Sequence, residues 1–353
     1  MSSVHYMQRC LDLARLGAGL VAPNPMVGAV LVHEDRIIGE GWHQQYGKAH
    51  AEVNCLASVK EEDRKLITQS ALYVSLEPCV HFGKTPPCTD LIIQHKIPKV
   101  VVGCRDPFKE VDGKGIEKLK AAGVEVVMSD AQTEHECKKL NKRFFTFHTQ
   151  QRPYIILKWA QTANGKISSE NNERLLISNE YTNRLAHQWR SEEAAILVGT
   201  NTALLDNPEL TTRLWPGPSP TRLVIDMNLR LPGSLKVVSG EVKTVVFNSV
   251  KQEESRNLIY YKLDKDKDFV AQLMRALYQL KIQSVLVEGG VKLLQSFIDT
   301  GTWDEVRVIS NMQLTSGNGL AAPLLPVAVK AGEQILFADK IEIYEPGMLI
   351  NNK

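Results

Sequence analysis

The chain has 353 residues, 43% hydrophobic and 23% charged; these values lie near those of soluble globular proteins, exclude a largely disordered chain and fit two domains of roughly 100–200 residues each. Lys and Arg number 42 against 40 Asp and Glu, a formal charge of +2, which weighs against a large polyanion as main partner because nucleic-acid-binding domains carry a clear basic excess. No basic segment leads into an apolar run at the start and no stretch of about 18 apolar residues occurs, so neither a secretory signal nor a membrane helix is expected; the six cysteines read as free thiols or metal ligands in a reducing cytoplasm.

Tyr6, Met7, Cys10, Leu11, Leu13 and Ala14 recur at helical spacing. Residues 27–33 form a β-rich run, and 36–42 follow it after a tight turn. Residues 51–58 read as a helix. The segments 71–75 and 100–103 are apolar enough for buried strands, with helices over 89–95 and 115–122. A strand at 124–127 and a charged helix from about 131 to 145 complete the half. Strands separated by helices predict a mostly parallel sheet covered on both faces, an α/β fold.

Residues 148–153 are polar and end in proline, so they are expected as the linker between a domain at 1–147 and one at 154–353. The second half alternates again. Strands are expected at 154–159, 194–199, 221–226, 243–248, 284–288 and 304–310, and helices at 179–190, 267–280 and 290–299. This too is an α/β domain.

The chemistry of the first half is carried by His50-Ala51-Glu52, then Pro78-Cys79, then Cys88. One His and two Cys make three zinc ligands and leave a fourth position for water, the mark of a catalytic centre. Zinc lowers the pKa of bound water to about 7. Glu52, two residues beyond the histidine at a helix start, is placed to move a proton from that water to a leaving amine. His50 and Cys79 are expected at helix N-termini, where the dipole favours a thiolate. A lone His-x-Glu or Cys pair means little, but the ordered set is the zinc-deaminase signature, here with the cysteine spacing lengthened. Cys10, Cys55, Cys104 and Cys137 fall within helix or strand patterns and are expected in the core.

The segments Pro23-Asn-Pro-Met-Val-Gly28, His50-Ala-Glu-Val53 and Glu77-Pro-Cys-Val-His-Phe-Gly-Lys-Thr-Pro-Pro-Cys88 resemble the deaminase half of the bifunctional riboflavin-biosynthesis deaminase/reductase family. The resemblance covers nearly the whole chain. It implies a cytidine-deaminase-like three-layer domain that acts on a phosphorylated diaminopyrimidinone, held by Asn24, His43, His81 and Lys84.

A Rossmann turn is not expected. Gly17-Ala-Gly19 follows a helical pattern rather than a strand, so the geometry that cradles a pyrophosphate is missing. The second half instead places polar residues at strand ends. Lys158 closes one strand; 199–202 and 206–213 follow another; Glu288-Gly289-Gly290 opens a helix, where backbone N–H groups can meet a phosphate. Lys-x3-Thr-x2-Gly, Val-Gly-x2-Thr-x3-Asp-Asn-Pro-x-Leu-Thr and Val-Glu-Gly-Gly resemble the reductase half of the same family. That resemblance implies a dihydrofolate-reductase-like fold and NADPH-dependent reduction of a ribosylamino to a ribitylamino group. By the same resemblance Lys158, Arg190, Leu210, Arg213 and Glu288 face the substrate, and Thr162, Thr202, Asp206, Gly289 and Gly290 the cofactor. Three positions depart from the family: Asn164 stands for aspartate, and Arg174 and Leu176 for serine and tryptophan.

Three rivals compete. A nucleic-acid base deaminase predicts a basic, aromatic-rich surface, against 7% aromatics and a charge of +2. A zinc-stabilised binding protein needs no glutamate beside the zinc histidine. A deaminase with a non-catalytic second domain would not need the strand-end residues of the second half. The expected cofactors are Zn²⁺ and NADPH. The expected partners are small phosphorylated pyrimidines, with no nucleic acid and no membrane, and a homo-oligomer is the expected assembly.

Overall fold

Helix α1 (Ser3–Arg15) buries Tyr6, Met7, Cys10, Leu11, Leu13 and Ala14 on one face, the residues whose spacing predicts it. The structure, a computed structural model, describes residues 3–82, 86–169, 175–326 and 328–347. It divides into two units, Met1–Gln151 and Arg152–Lys353.

In the first unit α1 is followed by β1 (Gly28–His33), β2 (Arg36–Trp42), α2 (Ala51–Ala57), a 3-10 stretch (Glu61–Gln69), β3 (Ala71–Val74), α3 (Cys88–Gln94), β4 (Lys99–Val102), α4 (Lys114–Ala121), β5 (Glu125–Met128), α5 (Ala131–Leu140) and α6 (Lys142–Gln150). The strands lie in the order β2-β1-β3-β4-β5. Strand β1 is antiparallel to both neighbours, while β3, β4 and β5 are parallel. Side chains alternate between faces. Ala29, Leu31, Leu72, Val74, Val100 and Val102 pack against residues of α2, α3 and α4. Val30, Val32, Tyr73 and Val101 pack against α1 and Cys137 of α5. Two helical layers thus enclose the sheet. Cys10, Cys55, Cys104 and Cys137 are all buried.

The single charged helix expected over 131–145 is two helices. Asn141 breaks it because its side chain leaves the helix to bond the backbone of Met26. Helix α6 then runs to Gln150 and ends on Gln151 with φ +54°. His148–Gln150 are therefore helical and belong to the first unit, not to a linker. The ring of His148 packs on Phe144, Phe147 and Phe108, which holds the helix past the expected boundary.

The second unit comprises β6 (Tyr154–Thr162), α7 (Glu180–Glu192), β7 (Ala195–Gly199), α8 (Thr200–Asp206), β8 (Thr221–Ile225), β9 (Thr244–Asn248), β10 (Glu253–Ser255), β11 (Leu258–Lys262), α9 (Phe269–Gln279), β12 (Ser284–Val287), α10 (Val291–Asp299), β13 (Glu305–Asn311), β14 (Ala328–Leu336) and β15 (Asp339–Pro346). These strands form one sheet of order β10-β11-β9-β8-β7-β12-β6-β13-β15-β14. From β11 to β13 every pair is parallel. Ligands of parallel α/β sheets bind outside the carboxyl ends of the strands. In this unit those ends carry Thr162, Gly199 and Glu288.

Candidate active sites

In the first unit three chain segments converge on one point. His50 is the N-cap of α2. Cys88 is the first residue of α3, and Cys79 lies in the segment that leaves β3. Nδ1 of His50 lies 3.6 Å from Sγ of Cys79 and 3.4 Å from Sγ of Cys88. All three ligand atoms fall within 4.8 Å of one another. Zinc bonds of about 2.3 Å to sulfur and about 2.0 Å to nitrogen, at the tetrahedral angle, give N–S edges of about 3.5 Å. The donor set thus fits a tetrahedral ion with one open position. The helix N-terminus belongs to Cys88, not to Cys79 as expected. Cys79 instead accepts the Cys88 N–H on its sulfur at 3.3 Å. The neighbouring Cys88 thiol and the His50 ring lower the Cys79 pKa, overcoming burial.

Glu52 sits in the first turn of α2 and is 3% exposed. Burial, and after it the nearby Cys79, raise its pKa. Its carboxylate is hydrogen-bonded to Cys88 and is not among the three grouped ligand atoms.

Asn24 and His43 meet beside this cluster. Nδ1 of His43 lies 3.0 Å from the Ala49 carbonyl, which can only accept, so that nitrogen carries the proton. Nε2 is then the acceptor for the Asn24 amide at 3.1 Å. Both ring nitrogens of His43 are engaged, and the ring meets His50 edge-on with centroids 5.3 Å apart. The geometry makes His43 the group that orients Asn24. His81 is packed edge-on against Phe108, and its Nδ1 is buried without a hydrogen-bond partner among the described residues. Lys84 lies outside the described residues.

Two residues of this site, Glu77 within its motif and Asn141, were given no role by sequence reasoning. The buried carboxylate of Glu77 accepts four backbone N–H groups, from Asp106, Gly113, Gly115 and Ile116, at 2.8–3.2 Å. It ties the segment that carries Cys79 to the loop after β4. Asn141 forms a two-way bond with Met26, 2.8 Å in each direction, and fixes the loop that carries Asn24. The amides they bond have no signature in a sequence. Glu77→Ala should lower the stability of the first unit by at least about 2 kcal/mol, because buried donors are left unmade; an unchanged urea midpoint would refute this.

In the second unit the strand register sets Glu288 beside Lys158: Val287 of β12 pairs Leu157 of β6. Arg190 of α7 grips Glu288 with two bonds, Nε to Oε1 at 3.1 Å and Nη2 to Oε2 at 2.6 Å. Burial opposes ionisation of Glu288, but Arg190 and Lys158 outweigh it and hold the carboxyl well below its usual range. Burial lowers the Lys158 pKa, with Glu288 opposing.

Gly289 and Gly290 are each dictated by their surroundings. A Cβ on Gly289 would stand 2.6 Å from Cα of Val198, and Gly290 has φ +68° at the N-cap of α10. Thr202 Oγ1 lies 3.4 Å from where a Cβ of Gly290 would stand, so α8 and α10 start side by side. Asp206 ends α8. The structure thus brings Thr202, Gly289 and Gly290 together. Thr162 differs from expectation: it is fully buried, and its hydroxyl donates to Asn164 Oδ1 and accepts the Lys166 N–H. Leu210 also differs. Its side chain is 3% exposed within a cluster that includes Val198, Ala203 and Val224, while φ is +56°; only its backbone is left to face a ligand. Arg213 is half-exposed and paired with Glu209.

Asn164 explains its own departure. Its Nδ2 donates to the Ser316 carbonyl at 2.6 Å and its Oδ1 accepts the Ser316 N–H at 3.2 Å. An ionised aspartate has no donor for that carbonyl. Leu176 is exposed, and Arg174 lies outside the described residues.

Known proteins share both halves. Residues 2–104 match the family model for the cytidine and deoxycytidylate deaminase zinc-binding region. Residues 153–314 match that for the RibD C-terminal domain. The riboflavin biosynthesis protein RibD of Aquifex aeolicus is 40% identical over 328 residues, which cover 90% of this chain and 88% of that one. The protein of the same name from Escherichia coli K12 is 32% identical over 360 residues, 96% of each chain. The crystal structure of a diaminohydroxyphosphoribosylaminopyrimidine deaminase/5-amino-6-(5-phosphoribosylamino)uracil reductase from Thermotoga maritima superposes with a TM-score of 0.86, at 36% identity over 98% of both chains.

Proposed function

The chain belongs to the RibD family of bifunctional deaminase/reductases of riboflavin biosynthesis, and from that premise we propose substrates, cofactors and residue roles for its two halves. The first half is a cytidine-deaminase-like hydrolase and the second a dihydrofolate-reductase-like oxidoreductase. The proposed first reaction is hydrolytic deamination of 2,5-diamino-6-(5-phosphoribosylamino)pyrimidin-4(3H)-one. The proposed second reaction is reduction of the ribosyl group of 5-amino-6-(5-phosphoribosylamino)uracil to ribityl.

The observation that carries the first reaction is the convergence of His50, Cys79 and Cys88 with Glu52 beside them. These three residues would hold zinc, which supplies a hydroxide at neutral pH. Glu52 takes a proton from the attacking water and passes it to the departing amine, so water is consumed and ammonia leaves. Asn24, oriented by His43, pairs with the pyrimidine edge. His81 and Lys84 take the phosphate. Cys79→Ser and Cys88→Ser should each lose zinc and deamination, while Cys104→Ser, buried away from the ligand atoms, keeps both. Unchanged zinc affinity in either of the first two variants rejects this ligand set.

For the second reaction the residues proposed to face the cofactor are Thr162, Thr202, Asp206, Gly289 and Gly290. The cofactor is NADPH, a hydride donor. Opening the ribosyl ring needs a proton at the ring oxygen for each hydride delivered to carbon. Lys158, held charged by Glu288, supplies that proton. Arg190 fixes Glu288, while Arg213 and the Leu210 backbone hold the phosphorylated sugar. Incubation with the diaminopyrimidinone ribotide should release ammonia and then consume NADPH. Ammonia without NADPH consumption would leave the second half a scaffold.

No helix among the described residues is long and apolar enough to cross a membrane. The proposed compartment is the cytoplasm, supported by six cysteines of which none is in a disulfide. The proposed homo-oligomer is open to measurement by light scattering.

A further inference from the structure

His187 is a buried polar group of the second unit with no task in the reaction so far. It lies on α7 one turn before Arg190 and is 6% exposed. Its Nδ1 accepts the backbone N–H of Arg213 at 2.9 Å and is approached by that of Leu214 at 3.4 Å. The loop it holds is not one the chain adopts freely. Leu210 has φ +56°, in the left-handed region that costs such a side chain about 1–2 kcal/mol, while Asn207 at φ +38° is of a type that enters it readily. The loop is pinned at several points: Leu210 is sunk in the core, Glu209 pairs with Lys236, Thr212 N–H bonds Ser219 Oγ, and His187 takes the amides at its far end. One helix therefore carries both the arginine that grips Glu288 and the acceptor that anchors the Arg213 backbone.

We propose that His187 is a positioning residue for the reduction: its unprotonated Nδ1 fixes the Arg213–Leu214 backbone so that Arg213 is presented to the phosphorylated substrate. The inference rests on the reading of Arg213 as a substrate contact. It requires a neutral ring, since a proton on Nδ1 would set N–H against N–H. The surroundings keep it neutral. Burial first, then Arg190 on the same helix, Arg213 on the loop and Lys158 on β6, push the imidazole down to about 4, with Glu288 after β12 opposing. An unfolded histidine takes its proton near 6.5. Between these values the unfolded chain binds the extra proton, so His187 contributes stability at neutral pH that is lost as pH falls from about 6.5 to about 4.

The test is steady-state reduction of 5-amino-6-(5-phosphoribosylamino)uracil at saturating NADPH, with ammonia release as the control, in the full chain. His187→Phe should raise KM for this substrate by roughly tenfold to a hundredfold, the effect of a buried amide left without its acceptor, with kcat and ammonia release little changed. His187→Asn, whose side-chain carbonyl can accept at the same position, should return KM to near the wild-type value while removing the acid-dependent loss of stability. A KM for His187→Asn raised tenfold or more over wild type would overturn the acceptor role, and this arm decides the matter even where the Phe variant does not fold. A raised KM in Arg213→Ala alongside an unchanged KM in His187→Phe sinks the proposal alone. An unchanged KM in Arg213→Ala removes the substrate contact itself, and the proposal with it.

Discussion

Glu52→Gln is expected to keep about one zinc per chain while deamination falls by roughly 10²–10⁴, the range for removing a positioned acid–base group. His50, Cys79 and Cys88 form the group that could hold a metal ion, and Glu52 comes two residues after the first of them and is 3% exposed. Glutamine preserves the volume and one acceptor oxygen, so the packing of α2 against the sheet should survive. It cannot take up and return a proton. Metal analysis together with an ammonia assay separates the two properties. Loss of zinc in this variant would make Glu52 a ligand and overturn its role. Reduction of deaminated substrate supplied directly should be untouched, because every residue assigned to it lies in the other unit.

The three residues that converge in the first site were legible because the pattern is local in sequence: a His-x-Glu at a helix start and a Glu-Pro-Cys after a strand. What holds them was not. Glu77 bonds amides some 30–40 positions further on, and Asn141 reaches across to Met26. Backbone amides look alike in a sequence, so such bonds leave no pattern. The same reason hides His187, whose partners are the amides of Arg213 and Leu214. Buried parallel strands showed themselves as continuous apolar runs. Strands β14 and β15 did not, because their largely solvated faces carry Lys330, Glu333, Lys340 and Glu342, which pair across the hairpin and read as loop. Helix α8 escaped notice because its seven residues bury only Ala203. At Leu210 and Thr162 the side chains turn inward: a family motif marks a position and does not say whether side chain or backbone serves.

Glu288→Gln and Lys158→Ala should each reduce NADPH oxidation by roughly 10²–10⁴ and leave ammonia release intact. The carboxylate is gripped by Arg190 through two bonds and is nearly buried, so it is the countercharge for two cations, Arg190 and Lys158. Removing one partner of a buried charge cluster is costly because the remaining charges lose their compensation. Arginine cannot shed its proton in a protein. Lysine can, and burial already lowers the Lys158 pKa with Glu288 opposing that shift. In the Gln variant Lys158 should therefore lose its proton at lower pH than in the wild type, and with it the ability to protonate the sugar oxygen. Two consequences separate this from general damage. The alkaline limb of the pH–rate profile should move to lower pH in Glu288→Gln, and part of the lost rate should return on acidification. In Lys158→Ala there is no group to reprotonate, so acidification restores nothing. The profiles are read from NADPH absorbance with deaminated substrate supplied. Identical profiles for the two variants would reject Lys158 as the proton donor. Wild-type rates in both would remove the pair from the reaction.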